Sequence, residues 1–171
     1  MPGETRNVCG IHLNQPEEEQ VKMASALCNS NGGDWGSVTI TIQHDDRNKE
    51  KWQQFMNYTR KYHLCPIVRI ATKSCGDGNW CRPDDKDPQE WADFLGSLNW
   101  PCKERYVQIF NEVNDAREWG GAVDPADYAR QAKLHIDALK EAHADFEPML
   151  AAMNTTAGSA RDMDAAVFFE Q

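Results

Sequence analysis

The sequence predicts an α/β fold of parallel strands alternating with helices, and three observations predict it. Apolar or β-branched runs of seven to nine residues recur at 7–13, 35–43, 65–72, 106–114 and 147–154. Between them lie longer segments whose apolar residues return every three or four positions, the spacing of one helix face. Asp-Pro pairs at 87–88 and 124–125 and the Gly32-Gly33 pair punctuate those segments as helix starts and a helix stop. Strands that read nearly continuously apolar belong in a sheet covered by helices, with parallel neighbours and right-handed crossovers.

Each element has its own justification. NVCGIHL, residues 7–13, is a short apolar run with polar flanks and predicts the first strand. In PEEEQVKMASALCNSNGG, Pro16 and three glutamates suit a first helical turn, and Val21, Ala24, Leu27 and Cys28 recur at helical spacing. WGSVTITIQ, 35–43, is β-branched and alternating; KEKWQQFMNYTRKYH then puts Trp52, Phe55, Met56, Thr59 and His63 on one stripe. CPIVRIAT, 65–72, is the third strand, and a long loop leads to a helix N-capped by Asp87 with Pro88 at its first position and Trp91, Phe94, Leu95 and Leu98 inward. YVQIFNEVN, 106–114, is the fourth strand. The fourth helix opens at Asp124-Pro125 and turns Tyr128, Ala132, His135, Ile136 and Leu139 inward. EPMLAAMN, 147–154, is the fifth strand, and SARDMDAAVFFEQ starts a fifth helix.

Two architectures accommodate five such units. An open doubly wound sheet is complete in five strands and suits a chain of 171 residues. A (β/α)8 barrel of the TIM type needs eight strands and about 250 residues, so this chain would supply a partial barrel of about five of eight units. In either case residues 1–171 are expected to form a single domain, because a chain of this size buries about two-thirds of its unfolded surface.

Composition excludes some partners. The net charge is -9 and no run of Lys or Arg exceeds two, so the field that a nucleic-acid backbone selects is missing. There is no run of about 18 apolar residues, so no membrane segment is expected, and MPGETRNVCG lacks a basic stretch followed by an apolar one, so the chain as written reads as soluble and unexported. Of six cysteines, Cys9, Cys28 and Cys65 sit in apolar segments and are read as small packing residues. Cys75 and Cys81 bracket CGDGNWC, where a loop-closing disulfide suits an oxidising compartment. A metal pair there lacks CxxC spacing and a nearby His, so no metal and no cofactor are assigned.

Chemistry in both architectures collects at the carboxyl ends of the strands. Those ends carry His12 and Asn14, Gln43 and His44, Arg69 and Thr72, then Asn111, Glu112 and Asn114, and finally Asn154, so all five units end polar. A strand-end Glu in a partly desolvated, Asn-rich mouth can have a raised pKa and serve as acid and then base in glycosyl transfer to water, while an adjacent Asn holds a sugar hydroxyl.

FNEVN at the end of the fourth strand, followed by REWGG and a capped helix, resembles the signature of the clan A superfamily of retaining glycoside hydrolases, which are (β/α)8 barrels. The resemblance covers nearly the whole chain in strand and helix order, and its specific motif is the Asn-Glu step on strand four. It implies Glu112 as acid/base, Asn111 as the sugar-contacting partner and a carbohydrate substrate. Val113 stands where the superfamily usually has Pro. The resemblance also implies a nucleophilic carboxylate at the end of strand seven, about 5 Å from the first. The five units stop short of it, and Glu170, the only late glutamate, lies in AAVFFEQ, a helix or tail. The chain is therefore expected to be catalytically incomplete alone: a piece of a longer protein, or a partial barrel that has lost its other half or borrows it from a partner.

The remaining candidates each carry two readings. Glu112 is alternatively a structural carboxylate paired with Arg69. Trp80 and Trp119 either stack on a sugar or pin their loops. His12 and Arg69 either orient substrate or hold interior contacts, whereas Trp52 and Trp91 belong to the core and His63, His135 and His143 to helices away from the strand ends. A non-catalytic carbohydrate-binding or assembly module is the alternative to an enzyme. Five strands of a barrel would expose two strand edges and an apolar inner face, so a homo-oligomer covering them is expected.

Overall fold

The computed structural model describes residues 7–76, 78–156 and 159–171. Residues 1–6, which begin the stretch behind the unexported reading, lie outside it. The elements run β1 (Gly10–Leu13), α1 (Glu18–Cys28), β2 (Gly36–Ile42), α2 (Lys49–Lys61), β3 (Leu64–Ile70), α3 (Asp87–Gly96), β4 (Arg105–Ile109), a 3-10 turn at Ala116–Glu118, α4 (Pro125–Ala142), β5 (Phe146–Met149) and α5 (Ala165–Phe169). The five strands form one parallel sheet in the order β1-β2-β3-β4-β5. A doubly wound sheet reverses its strand order part-way. Here every crossover steps to the next strand in the same direction, so right-handed connections keep the helices on one face, and the architecture is a partial TIM-type barrel.

That helix-facing side holds the core. Along β2, Val38, Ile40 and Ile42 are buried and alternate with the half-buried Ser37, Thr39 and Thr41. Val68, Ile70, Val107 and Ile109 continue the layer, and Trp52, Phe55, Met56, Trp91 and Leu95 from α2 and α3 cover it. Each fully buried side chain of this kind contributes about 1.5–3 kcal/mol. The layers meet closely at Gly36, where an added Cβ would stand 2.7 Å from the Cβ of Cys28 on α1. Leu27 departs from its expected stripe and is exposed.

The other face is not apolar, against expectation. Register pairs His12 with Thr39, Thr39 with Ile67, Ile67 with Tyr106 and Tyr106 with Glu147; the next row pairs Thr41, Arg69, Gln108 and Met149. Side chains of paired residues share a face, so this concave side is mostly polar. The alternation in VTITI and IVRI already carried that information; a strand with one wet face reads as half polar. The edge strands β1 and β5 are four residues each, and β5 contains Pro148, both devices that blunt a sheet edge. Among the described residues no helix is long and apolar enough to cross a membrane.

Two local expectations need correction. Cys65 is not simply a packing residue, because it forms a disulfide with Cys102 across 37 positions; its apolar surroundings concealed a partner in the loop after α3. Cys75 and Cys81 form the loop-closing disulfide, and Cys9 and Cys28 remain thiols. Disulfides persist in oxidising surroundings, in tension with an unexported chain. Asp87 does not cap α3; Lys86 precedes the helix, and the Asp87 carboxylate accepts from the backbone N–H of Asp84 at 2.8 Å and contacts His44 Nε2 at 2.6 Å. Asp124 does cap α4, accepting from the Asp127 N–H at 3.0 Å.

His135 of α4 is fully buried and donates from Nδ1 to the Gln131 carbonyl at 2.8 Å. Burial holds its pKa below the ordinary 6.5, against the opposing pull of that carbonyl and of Asp87. With a depressed native pKa, the unfolded state binds the extra proton first. The stability that neutral His135 contributes is therefore present above pH 6.5 and lost as pH falls below it. Thermal melts should show Tm dropping from pH 7 to pH 5, and His135→Phe should show a smaller drop.

Candidate functional site

The strand ends that the sequence singled out converge on Arg69. Its guanidinium, at the carboxyl end of β3 on the concave face, donates from Nε to Thr41 Oγ1 at 2.9 Å and from Nη1 to Asn111 Oδ1 at 2.8 Å. Burial lowers its pKa from the ordinary value, and the carboxylates of Glu118 and then Glu112 oppose that shift. An arginine remains charged through such a shift, so the mouth of the sheet holds a fixed cation facing two acids.

Asn111 is set in place by an unusual backbone. β4 ends at Ile109, and the residues on either side of Asn111 adopt left-handed conformations, Phe110 at φ 67° and Glu112 at φ 43°. Non-glycine residues in that region cost about 1–3 kcal/mol each and gather at functional sites. The turn is locked: Asn111 bridges to Ala152, the Glu112 N–H donates to the Ala152 carbonyl at 2.8 Å, and the Glu112 carbonyl accepts from Asp115 N–H at 2.7 Å. The Glu112 side chain stays partly exposed, within electrostatic reach of Arg69 and Glu118.

Arg69, Asn111, Thr41, Gln43, Thr72, Trp80, Phe110 and Glu118 line a cleft of about 150 Å³. A second hollow of about 330 Å³ adjoins it over β1 and β2; it includes His12, Asn14 and Lys51 and shares Thr41, Gln43 and Arg69. His12 is thus on the same mouth as Arg69. Burial and then the Arg69 charge hold its imidazole below the ordinary value, which favours the neutral ring.

The two loop tryptophans divide. Trp80 lines the cleft, its loop held by the Cys75–Cys81 disulfide, an antiparallel bridge to Ser74, a hydrogen bond from its N–H to the Arg117 carbonyl (2.7 Å) and one to its carbonyl from Gly120 N–H (2.7 Å). Trp119 is fully buried, donates from Nε1 to Asp127 Oδ2 at 3.2 Å, and packs on Phe110 and Tyr128. It has no face for a sugar; it pins its loop. Asn154 is also outside the cleft lining. It exchanges hydrogen bonds with the fully buried Asn114, N–H to Oδ1 at 2.8 Å and Nδ2 to carbonyl at 2.9 Å, which ties the loop after β5 to the turn after β4.

Glu118 was not anticipated. It lies in the quoted REWGG beside Trp119, and the signal was that neighbour: an indole buried to anchor a short turn leaves the adjacent residue facing elsewhere. Desolvation raises its carboxyl pKa most, followed by the charges of Glu112 and Asp115, while Arg69 and Arg117 oppose them. As to metals, His44, Asp87 and Glu90 bring one ligand atom each within 4.8 Å of one another. His44 is already bonded to Asp87, and Arg47 Nη2 donates to Glu90 at 2.8 Å, so these groups satisfy one another.

With this geometry the chain superposes on a GH39 beta-xylosidase from Caulobacter crescentus with a TM-score of 0.60, over 86% of this chain and 40% of that one. The fold is that of a partial (β/α) barrel. Identity over the match is 13%, so the likeness concerns fold alone, and the chain spans less than half the length of that enzyme. A citrate synthase, SbnG, matches at a TM-score of 0.38 with 14% identity over 85% of this chain and 51% of that one, which supports no inference. No protein-family model and no curated protein sequence matches.

Proposed function

We propose that this protein belongs with the clan A glycoside hydrolases and that its cleft works on an O-glycosidic bond, with Glu112 as acid/base and Asn111 positioning a sugar hydroxyl. One observation carries the reading: on a glycoside-hydrolase-like fold, the strained turn after β4 presents Asn111 to the Arg69 cleft and leaves Glu112 part-exposed beside it. A cleft of about 150 Å³ suits one sugar ring, and the second hollow beyond Arg69 gives a chain of sugars room to continue. Its polar lining offers the hydrogen bonds a saccharide needs, and Trp80 offers an indole for its apolar face.

Hydrolysis of a panel of aryl glycosides tests it. Where the chain turns over a glycoside, alone or with a partner copy that supplies the missing nucleophile, Glu112→Gln should lower kcat by about 10²–10⁴-fold with the fold intact by circular dichroism. Turnover unchanged in Glu112→Gln sinks the assignment. The part-exposed Trp80 beside a polar cleft favours a second reading, a carbohydrate-binding module; sugar binding that requires Trp80 but survives Glu112→Gln, with no turnover, would select it.

A further inference from the structure

We infer that Asn154 is a glycan acceptor, carrying an N-linked oligosaccharide on the loop after β5. The assignment is independent of the hydrolase reading. Asn-x-Ser/Thr, with x other than Pro, is the acceptor signal for N-glycosylation, and it occurs twice, as Asn57-Tyr58-Thr59 and Asn154-Thr155-Thr156. The reaction belongs to an oxidising secretory route, where disulfides also form and persist, and this chain holds two. The backbone of Asn154 is fixed by Asn114, while its side chain has a separate use: Oδ1 accepts from both the N–H and the hydroxyl of Thr156 at 2.9 Å. This is an Asx turn, and it brings the two signal side chains together. Asn154 is half-buried, and Thr155 and Thr156 are exposed. Among the described residues nothing accepts from Asn154 Nδ2. A sugar on Nδ2 replaces one amide hydrogen and leaves the turn and the Asn114 bonds in place.

The other signal lies within α2 and has the opposite geometry. Residues two apart on a helix do not face each other, so once α2 forms, Asn57 and Thr59 point to different sides. Thr59 is fully buried and its hydroxyl donates to the Met56 carbonyl at 3.0 Å. Asn57 is exposed, but its Oδ1 accepts from Gln53 Nε2 at 3.2 Å and Arg60 Nη1 at 3.3 Å. Asn154 is therefore the acceptor of the two. The co-reactant is an oligosaccharide carried on a polyprenyl diphosphate, presented by a membrane-bound transferase. Asn154 Nδ2 attacks the anomeric carbon, and the new C–N bond forms as the bond to the diphosphate oxygen breaks. The diphosphate leaves on its lipid, and one amide proton passes to a base of the transferase.

The test is intact-mass spectrometry of the full chain secreted by a eukaryotic cell line behind a signal peptide, before and after peptide N-glycosidase in heavy-oxygen water, which marks each released site as a labelled aspartate. The secreted protein should carry a series of glycoforms that collapses to one mass, with the label at position 154. Asn154→Gln and Thr156→Ala should each abolish the series, and Thr156→Ser, which keeps the hydroxyl, should retain it. A bare Asn154 in the secreted protein, a glycan on Asn57 in place of Asn154, or a glycan that survives Thr156→Ala overturns the assignment. Translation in the presence of microsomes gives the same readout for a chain that the cell retains. There, a glycosidase-sensitive gel shift lost in Asn154→Gln supports the site, and a chain that shows no shift overturns it.

Discussion

Replacing Cys65 and Cys102 together by alanine should lower stability by about 4 kcal/mol, the loop-closure value for 37 residues, and lower Tm by roughly 8–16 °C. The bond joins the start of β3 to the loop between α3 and β4, so it crosslinks the amino-terminal end of the sheet, where barrels keep residues for stability. Domains of ordinary stability hold only about 5–15 kcal/mol, and a loss of this size is a large fraction of that. Alanine is the right replacement because Cys65 is buried, where a serine hydroxyl would add a desolvation cost. The comparison is the Cys75–Cys81 pair, which spans six positions, so its removal should cost about 2 kcal/mol by the same relation. That second bond holds the Trp80 loop at the mouth of the cleft, and under the carbohydrate reading proposed above its loss should fall more on sugar binding than on Tm. Differential scanning calorimetry of both variants settles the order; a Cys65/Cys102 variant melting within 2 °C of the parent would refute the claim.

The strand-and-helix order was legible because its signals are local. The Asp124 cap, the stripe through Trp52, Phe55 and Met56, and the β-branched run of β2 each state their structure within a few residues. What was not legible depends on partners distant in the chain. Cys65 reads as one more apolar residue in CPIVRI until Cys102 is brought beside it. Asp87 fits an N-cap until His44, from the end of another unit, reaches its carboxylate. The choice between a doubly wound sheet and a partial barrel turned on strand order, which no single unit encodes.

The site follows the same division. Asn111 and Arg69, chosen as strand-end residues, meet at 2.8 Å. Asn154 was chosen on the same rule, yet the buried Asn114 takes its backbone instead. Alternation places a side chain on a face, but whether it lines a cleft depends on what the neighbouring loop inserts. Glu118 shows the converse. It lies on no strand, and it reaches the cleft only because Trp80, Asp115 and Trp119 fix a short turn around it.

Trp119→Ala should cost about 3–5 kcal/mol, the other large effect in this molecule, and Trp80→Ala should cost little. Both residues are tryptophans in loops over the carboxyl end of the sheet, so the contrast isolates environment from residue type. Trp119 has no exposed surface, its Nε1–H is satisfied by Asp127, and its ring meets Phe110 and Tyr128 at 5.5 and 5.6 Å. Truncation leaves a cavity against Phe110, whose left-handed backbone leads into Asn111, and strands the Asp127 carboxylate without that donor. Damage should therefore reach the cleft as well as the core. Glu118 and Asn111 flank the collapsed packing in sequence, and any saccharide binding should weaken together with Tm. Trp80 exposes part of its ring to the cleft, and its backbone hydrogen bonds to Arg117 and Gly120 survive the loss of the side chain. Its alanine variant should melt near the parent and, under the carbohydrate reading proposed above, lose affinity for oligosaccharides, as read by tryptophan-independent calorimetry. If instead Trp119→Ala left Tm unchanged, the loop would not be anchored as described, and the placement of Glu118 beside Arg69 would lose its physical basis.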